Sequence, residues 1–482
     1  MKEFGELIMK LKLGKLICMA AGISILLTQP CVKVFAEETT MEDSIEEQSE
    51  EELEAEKEKI YDTPADTNAL TGWPKGPKIQ ALSGCVIDME SGAFVYSKNM
   101  DEKLYPASIT KLLTVLVALE NAELTDTVTF SEDSISFLEY GDASIGMKVG
   151  EEISMEDALY AILLASANEV SYAVAETVGT NDLGGDYSTF IKKMNERAKE
   201  LGCTSSNWVN PNGLHSEKHY TTAHDMALIA AEVYKHREFR TIMREYEYRI
   251  GFTELTQEER VFQQNHKMLW DGNQYSWELA TGGKTGYTDQ SGTTLVTMAE
   301  DGDLELACVV LSDYGGVAYE DTRAMMEYVF DNFKKVSLAD KELPEQIESL
   351  VDEDAYVLLS EDVDLDAVEC EVTQSGDEES KEGNAIFTYE GQIVGNAEVT
   401  LSDAFFTPDD EPEQIDPEEV KAAEKKAERR ALVKKIVKVL LIVAGIAIVL
   451  TAYTFYRNYK ILKARKKRRR ELREARRKNY RY

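Results

Sequence analysis

A serine and two lysines carry the chemistry that this chain can do. Ser108 and Lys111 stand three residues apart in Pro106-Ala107-Ser108-Ile109-Thr110-Lys111, at the head of the apolar run 112–119. Proline suits the first turn of a helix, where its missing N–H has no intrahelical role, so the spacing predicts a helix beginning near Pro106. Residues i and i+3 share a helical face. The Ser108 hydroxyl and the Lys111 amine then lie within hydrogen-bonding reach, at the positive end of the helix dipole. A hydroxyl is a weak nucleophile until a base takes its proton. A lysine whose charged form is disfavoured by burial or by other cations can be that base. Alone, the pair is a weak signal and reads as a helix start with a snorkelling lysine; only the rest of the chain turns it towards catalysis.

Three further stretches bear on that decision. Ser166 and Asn168 flank Ala167 between two helical segments, where a hydroxyl and an amide can point into one cleft. Thr281-Gly282-Gly283-Lys284-Thr285-Gly286-Tyr287-Thr288 lies just ahead of a pair of strands. Its glycines permit close backbone approach to a ligand, and Lys284 with Thr285 can hold a carboxylate. A phosphate-binding loop would need glycine five residues before Gly283, where Glu278 stands, and would lead into a helix; nucleotide binding is rejected. His215 and His219 raise the question of a metal pair in the third stretch, 208–222. No His-Glu-x-x-His pattern is present and nothing predicts a third ligand, so the segment reads as a turn lining the cleft, with no metal and no cofactor expected.

The elements that must position these residues follow from hydrophobic pattern. Runs 82–88 and 93–97 around Met89-Glu90-Ser91-Gly92 predict a hairpin. Helical periodicity follows at 154–165, 170–178, 187–201 and 222–234, the last behind the capping residues Thr221 and Thr222. Strands resume at 293–299 and 305–311 around a turn at 300–303, and 319–333 reads as a closing helix. Strands at both ends with helices between them predict an α/β sandwich whose antiparallel sheet is formed by distant chain segments. Short alternating runs at 355–359, 368–372, 385–389 and 392–401 predict a small β domain in which no chemistry is legible.

The chain has 482 residues, enough for two or three domains, and a net charge of −36 that is unevenly spread. The last 26 residues hold 14 lysines and arginines against 2 glutamates, so the rest of the chain is more acidic than the total. An acidic body disfavours nucleic acid as a partner. Lys10, Lys12 and Lys15 precede the apolar run 16–27, and Val34-Phe35-Ala36 offers small residues for signal peptidase. We therefore expect residues 1–36 to be a signal peptide cleaved after Ala36, and 37–60 to be an acidic linker. A catalytic domain is expected at 61–335, the small β domain at 336–410 and a charged juxtamembrane segment at 411–435. Residues 436–456 are long and apolar enough to span a bilayer, and 457–482 form a basic tail placed in the cytoplasm by the positive-inside bias. These readings agree on a single-pass cell-membrane protein with its body outside. Of six cysteines, Cys18 and Cys31 fall in the N-terminal apolar region; Cys85, Cys203, Cys308 and Cys370 lie too far apart for a C-x-x-C pair and read as buried free thiols.

Ser-x-x-Lys, Ser-x-Asn and Lys-Thr-Gly, in that order, are the signatures of penicillin-interacting serine enzymes. From about Tyr61 to Phe333 the chain resembles the low-molecular-mass penicillin-binding proteins, the D-alanyl-D-alanine carboxypeptidases. Asn210-Pro211-Asn212-Gly213-Leu214 and His219-Tyr220-Thr221-Thr222 are also typical of them. The resemblance implies a β-lactamase/transpeptidase-like antiparallel sheet with helices on both faces, followed by a small all-β domain and a C-terminal membrane anchor. A full span with a basic tail departs from that family's usual amphipathic anchoring helix, which bears on attachment rather than chemistry. Ser108 would attack the carbonyl between the terminal D-alanines of a peptidoglycan stem peptide, and Lys111 would take its proton. Lys284 would keep Lys111 neutral by like-charge repulsion, and Ser166 would relay the proton to the leaving D-alanine. Asn168 would hold the substrate amide, while Lys284 and Thr285, within the Lys-Thr-Gly motif ending at Gly286, would bind the terminal carboxylate. The N–H groups of Ser108 and Tyr287 would form the oxyanion hole. β-Lactams would act as inhibitors through the same serine.

Three rivals share parts of this pattern. A class A β-lactamase also needs a Glu-x-x-Leu-Asn pattern for deacylation, and none occurs between Asn168 and Lys284. A transpeptidase or endopeptidase uses the same motifs with a different acceptor. A non-catalytic wall-binding scaffold would have no need of Ser108, Lys111 and Lys284 together.

Overall fold

The structure is a computed structural model and describes residues 54–339, 341–376 and 380–406. The expected leader at 1–36, most of the acidic linker, and the segments expected at 411–435, 436–456 and 457–482 lie outside the described residues. Among the described residues no helix is long and apolar enough to cross a membrane. The described residues up to Ser402 belong to one compact unit; of the other, only the short helix Asp403–Phe406 is described.

A five-stranded antiparallel sheet organises the first unit. In chain order its strands are β1 (Ser83–Asp88), β2 (Phe94–Lys98), β3 (Ala280–Thr288), β4 (Gly292–Glu300) and β5 (Glu305–Asp313). Their order across the sheet is β2-β1-β5-β4-β3, so the two ends of the segment interleave. Every residue of β1 and β2 is buried, as expected of strands covered on both faces. On one face Cys85, Ile87, Val296, Met298, Ala307, Val309 and Leu311 join the main core. That core includes helices α1 (Lys111–Asn121), α2 (Met155–Leu163), α3 (Asn168–Asn181), α4 (Tyr187–Glu200) and α5 (Ala223–Lys235). On the other face lies α6 (Val317–Asn332): a side chain at Gly84 would meet the sulfur of its Met325 at 3.4 Å. The antiparallel sheet with helices on both faces is the arrangement the sequence led us to expect.

Local chemistry explains the helix ends. Ser154 caps α2 by accepting from the Asp157 N–H, and Thr222 caps α5 by accepting from that of Asp225. Asp186 and Thr189 form a reciprocal capping box on α4.

Three expectations need correction. The stretch 281–288 does not merely lead into a strand pair; it is itself the edge strand β3, in register with β4 from Gly282↔Met298 to Thr288↔Gly292. Its three threonines and three glycines lack the apolar alternation that marks a strand, and its partner alone makes it one. Asn168 opens α3 rather than lying in a loop before it. Two small hairpins, 127–129 with 152–154 and 247–250 with 260–263, were not legible in the pattern because each strand has only three or four residues.

Beyond α6 the chain turns to strands: β6 (Lys334–Ser337), β7 (Ile347–Leu350), β8 (Tyr356–Leu359), β9 (Glu369–Gln374), β10 (Glu382–Tyr389) and β11 (Gln392–Leu401). β6 pairs with β8, and the other four form a sheet in the order β7-β11-β10-β9. Glu390 and Gly391 both have positive φ, 48° and 85°, as a two-residue hairpin turn demands. These strands lean on the β1–β2 hairpin. The Asn396 N–H donates to the Ser91 carbonyl at 2.7 Å, and the Tyr356 hydroxyl bonds to Asp88 at 2.8 Å and to Glu90 at 2.7 Å.

Candidate active site

Ser108 sits in a single 3-10 turn, Ala107–Thr110, that runs directly into α1. Ala107, the residue before it, has φ 51°, a left-handed conformation unfavourable for a residue with a Cβ. Surroundings hold it there. The Thr294 hydroxyl donates to the Pro106 carbonyl at 2.8 Å, and the Thr110 hydroxyl donates to the Ala107 carbonyl at 2.8 Å. Gly213 (φ 85°) passes so close to the Ala107 carbonyl that any side chain there would collide with it. Backbone strain of this kind persists only where the surroundings over-determine it, and it gathers at functional sites.

Lys111 is fully buried, and its Nζ touches three oxygens. They are Ser108 Oγ at 3.0 Å, Asn168 Oδ1 at 2.8 Å and the Asn212 carbonyl at 2.5 Å. A neutral amine has two N–H bonds and one lone pair. The amide and peptide oxygens can only accept, so they take the two N–H bonds, and the lone pair faces the one partner able to donate, the Ser108 hydroxyl. Burial pushes the Lys111 amine well below the ordinary lysine range, and the charge of Lys284 pushes it further in the same direction. Burial ranks first and Lys284 second, the two causes that the residue types had suggested.

Lys284 projects from β3 and is also fully buried. Its Nζ donates to Ser166 Oγ at 3.0 Å and to the Thr285 carbonyl at 2.8 Å, and burial lowers its amine to about 7. Ser166 has φ 60°, the second strained residue of the site. Asn168 is fixed from both ends, its N–H donating to the Ala143 carbonyl at 2.8 Å while its side chain holds Lys111. Gly286 is required by packing: a Cβ there would lie 2.8 Å from the Ser108 nitrogen. The outer edge of β3, the last strand of the sheet, therefore runs past the nucleophile's N–H. The Tyr287 ring is exposed, with its hydroxyl on Asp289 at 3.2 Å.

The structure thus forms two hydrogen-bonded groups, Ser108 and Asn168 on Lys111 and Ser166 on Lys284, and the charge of Lys284 acts on Lys111. The histidines are engaged elsewhere. His219 accepts the Val209 N–H on Nδ1 at 3.1 Å and bonds the Thr110 hydroxyl through Nε2 at 2.8 Å. Burial lowers it to about 3, so the ring is neutral with both nitrogens in use. His215 packs edge-on against Tyr105. Among the described residues no group of three or more His, Cys, Asp and Glu side chains could hold a metal ion. Cys85, Cys203 and Cys308 are buried free thiols, and Cys370 is half-buried.

Sequence reasoning missed several contributors. The Asn212 carbonyl is a backbone group, invisible in residue type, although Asn212 lies in a segment already singled out. Thr294 and His266 carried no signal. The fully buried His266 lies beneath Gly283 and bonds the Thr297 hydroxyl at 2.9 Å, supporting the strand from which Lys284 projects. Glu169 stands next to Asn168 and was passed over.

The chain is similar to known proteins. The chain is 32% identical over 268 residues to the D-alanyl-D-alanine carboxypeptidase DacF of Bacillus subtilis, covering 53% of this chain and 63% of that protein. It is 29% identical over 273 residues to DacC of Escherichia coli, also a D-alanyl-D-alanine carboxypeptidase, covering 55% and 64% respectively. The match thus spans a little under two thirds of the length of both relatives. Among solved structures, the Streptomyces K15 DD-transpeptidase is similar with TM-score 0.49 and 25% identity, over 54% of this chain and 100% of that one. Residues 71–315, just over half of the chain, match the family described as D-alanyl-D-alanine carboxypeptidase, and the protein belongs to that family.

Proposed function

We propose that this protein is a serine D-Ala-D-Ala carboxypeptidase that trims the terminal D-alanine from peptidoglycan stem peptides. The observation that carries this reading is the buried Lys111 amine, whose Nζ lies 3.0 Å from Ser108 Oγ and whose other two partners are carbonyl oxygens, so that in its neutral form it turns its lone pair to the hydroxyl. The substrate lies along the free edge of β3 as an added strand, with its terminal carboxylate at Lys284 and Thr285. Ser108 Oγ attacks the carbonyl carbon of the penultimate D-alanine while its proton passes to Lys111 Nζ. The oxyanion is met by the N–H groups of Ser108 and Tyr287; one such donor is worth about 3 kcal/mol of transition-state stabilisation. The proton then passes to the nitrogen of the leaving D-alanine, and Ser166, hydrogen-bonded to Lys284, supplies the relay. The C–N bond breaks, leaving an ester on Ser108 that water hydrolyses. A β-lactam enters the same path and stops at the ester.

The electrostatics suit an anionic substrate. Burial holds Lys284 at about 7 in the free site. An arriving carboxylate favours its charged form, and a charged Lys284 in turn disfavours charge on Lys111.

The remaining parts of the reading rest on sequence. We place residues 336–410 as a small β domain that follows the catalytic part, and residues 436–456 as a single membrane span. The body lies outside the cell membrane and the basic tail lies inside, against anionic lipid.

The test is direct. Full-length protein in detergent is given a peptide ending in D-Ala-D-Ala, and free D-alanine is measured alongside covalent labelling by penicillin. Ser108→Ala is expected to lose both. Labelling and release equal to wild type in Ser108→Ala would overturn the assignment.

A further inference from the structure

Glu169 is fully buried in the first turn of α3, immediately after Asn168. Its Oε1 accepts from the Ser144 hydroxyl at 2.7 Å and from the Ile145 N–H at 2.8 Å. Its Oε2 has no hydrogen-bond donor among the described residues. A buried polar atom left unpaired is expensive, so a carboxylate kept in this state calls for an account.

Its surroundings supply one. The backbone of 143–146 forms the wall of the cleft beside Asn168, the Ala143 carbonyl taking the Asn168 N–H at 2.8 Å. From outside, Arg260 clasps the same wall through the Ile145 carbonyl at 3.1 Å and pairs with the buried Glu151 at 2.8 Å. From inside, Glu169 is the counterpart of that clasp, and two donors together with a position in a helix's first turn suit a negative charge. Asn168 hands the arrangement on to Lys111 Nζ at 2.8 Å.

We propose that Glu169 is a positioning residue of the acylation step, whose buried charge offsets the ammonium that forms on Lys111 as Ser108 gives up its proton. That step favours such a group. The proton leaves Ser108 Oγ and arrives on Lys111 Nζ, creating a cation in a buried cleft that already holds Lys284. The titratable groups that act on Lys111 are Lys284 from β3, Glu169 from α3, Asp142 from the wall segment and the neutral His219 from below α1. Lys284 opposes the new charge; Glu169 and Asp142 favour it. Of the two acids only Glu169 is fully buried, so its field is the less screened by water.

This inference rests on the proposed acyl transfer, and its test separates the two. Penicillin acylation rates of the full-length protein are followed against pH for wild type, Glu169→Gln and Ser144→Ala. A wild type that neither acylates nor releases D-alanine would sink the functional reading itself. If it acylates, Glu169→Gln keeps an acceptor for Ser144 and Ile145 but removes the charge. Its plateau rate is expected to fall by about tenfold or more, with the acidic limb displaced to lower pH by about one unit. Ser144→Ala loosens the wall, keeps the charge and is expected to leave the limb in place. A Glu169→Gln limb and plateau equal to wild type, or a Ser144→Ala limb displaced as far, would overturn the proposal. Should Glu169→Gln fail to fold, Glu169→Asp decides: a limb at the wild-type position supports the role of charge, and a displaced limb overturns it.

Discussion

Lys98 and Lys111 are both fully buried and lie on neighbouring elements, yet their surroundings give them opposite uses. Lys98, at the end of β2, donates to the Ile60 carbonyl at 2.7 Å and to the Ile79 carbonyl at 2.8 Å. Burial lowers its amine only to about 8, because Asp321, Asp313 and Asp66 work against the burial. All its partners are acceptors or anions, so it has charge to hold and nothing to deprotonate. It ties the segment before β1 to the sheet. Lys111 has carbonyl partners too, but its third contact is a hydroxyl and its cationic neighbour is another lysine. A buried lysine becomes a base where a partner able to donate meets it and where its neighbours reinforce the effect of burial, as Lys284 does for Lys111, rather than oppose it, as the aspartates do for Lys98.

The largest expected effect breaks the comparison on the catalytic side. Lys111→Arg keeps a cation in place but cannot yield a free lone pair. Penicillin acylation by stopped-flow is expected to fall by about 10²–10⁴-fold, the usual worth of a general base. A loss below about tenfold would mean that Lys111 is not the base.

On the structural side, Lys98→Met leaves the Ile60 and Ile79 carbonyls without their buried donor. Denaturant unfolding should show a loss of about 2–4 kcal/mol, with the acylation rate of the folded fraction close to wild type. Equal damage to acylation in folded protein would erase the distinction between the two lysines.

Lys284 sharpens the contrast through pH. Its amine is lowered to about 7, so the free site loses its cation as pH rises through that value. KM for a substrate with a free terminal carboxylate is expected to rise above about pH 7, by up to about tenfold per pH unit in the limit of full dependence on the charge. In Lys284→Gln the KM is expected to be high and flat across this range. A wild-type KM that is flat from pH 6 to 9 would contradict a carboxylate bound by this lysine.

The smallest effect lies beside Lys98. Burial and the neighbouring Asp321 raise the Asp313 carboxyl to about 7. The folded state therefore holds a proton that the unfolded chain releases above its ordinary value of 3.8. Stability from this group is full at low pH and is lost as pH rises towards 7. Asp313→Asn should flatten that decline, read as a smaller fall in melting temperature between pH 4 and 7. An unchanged decline would locate the titration elsewhere.

Much of this molecule is legible in its amino acids because the signals are local. The hairpin around Met89-Glu90-Ser91-Gly92, the helices behind Ser154 and Thr222, and the i, i+3 spacing of Ser108 and Lys111 all follow from periodicity, capping and turn chemistry within a dozen residues. The strand β3 was not legible as a strand, because Thr281-Gly282-Gly283 has no apolar alternation and β4 alone defines it. Nor was the acceptor role of the Asn212 carbonyl, because a peptide oxygen has no letter of its own.

By itself, then, the sequence determined which groups were available: a hydroxyl three residues before an amine at a helix start, a second lysine among glycines, and a hairpin at each end of the domain. Only the tertiary structure decided their state. Lys111 and Lys284 lie 173 positions apart in the chain, and neither is unusual until folding removes water from both and sets one against Ser108 and the other against Ser166. Desolvation is a property of the assembled cleft, and it is desolvation, ahead of any neighbouring charge, that turns an ordinary lysine into a base.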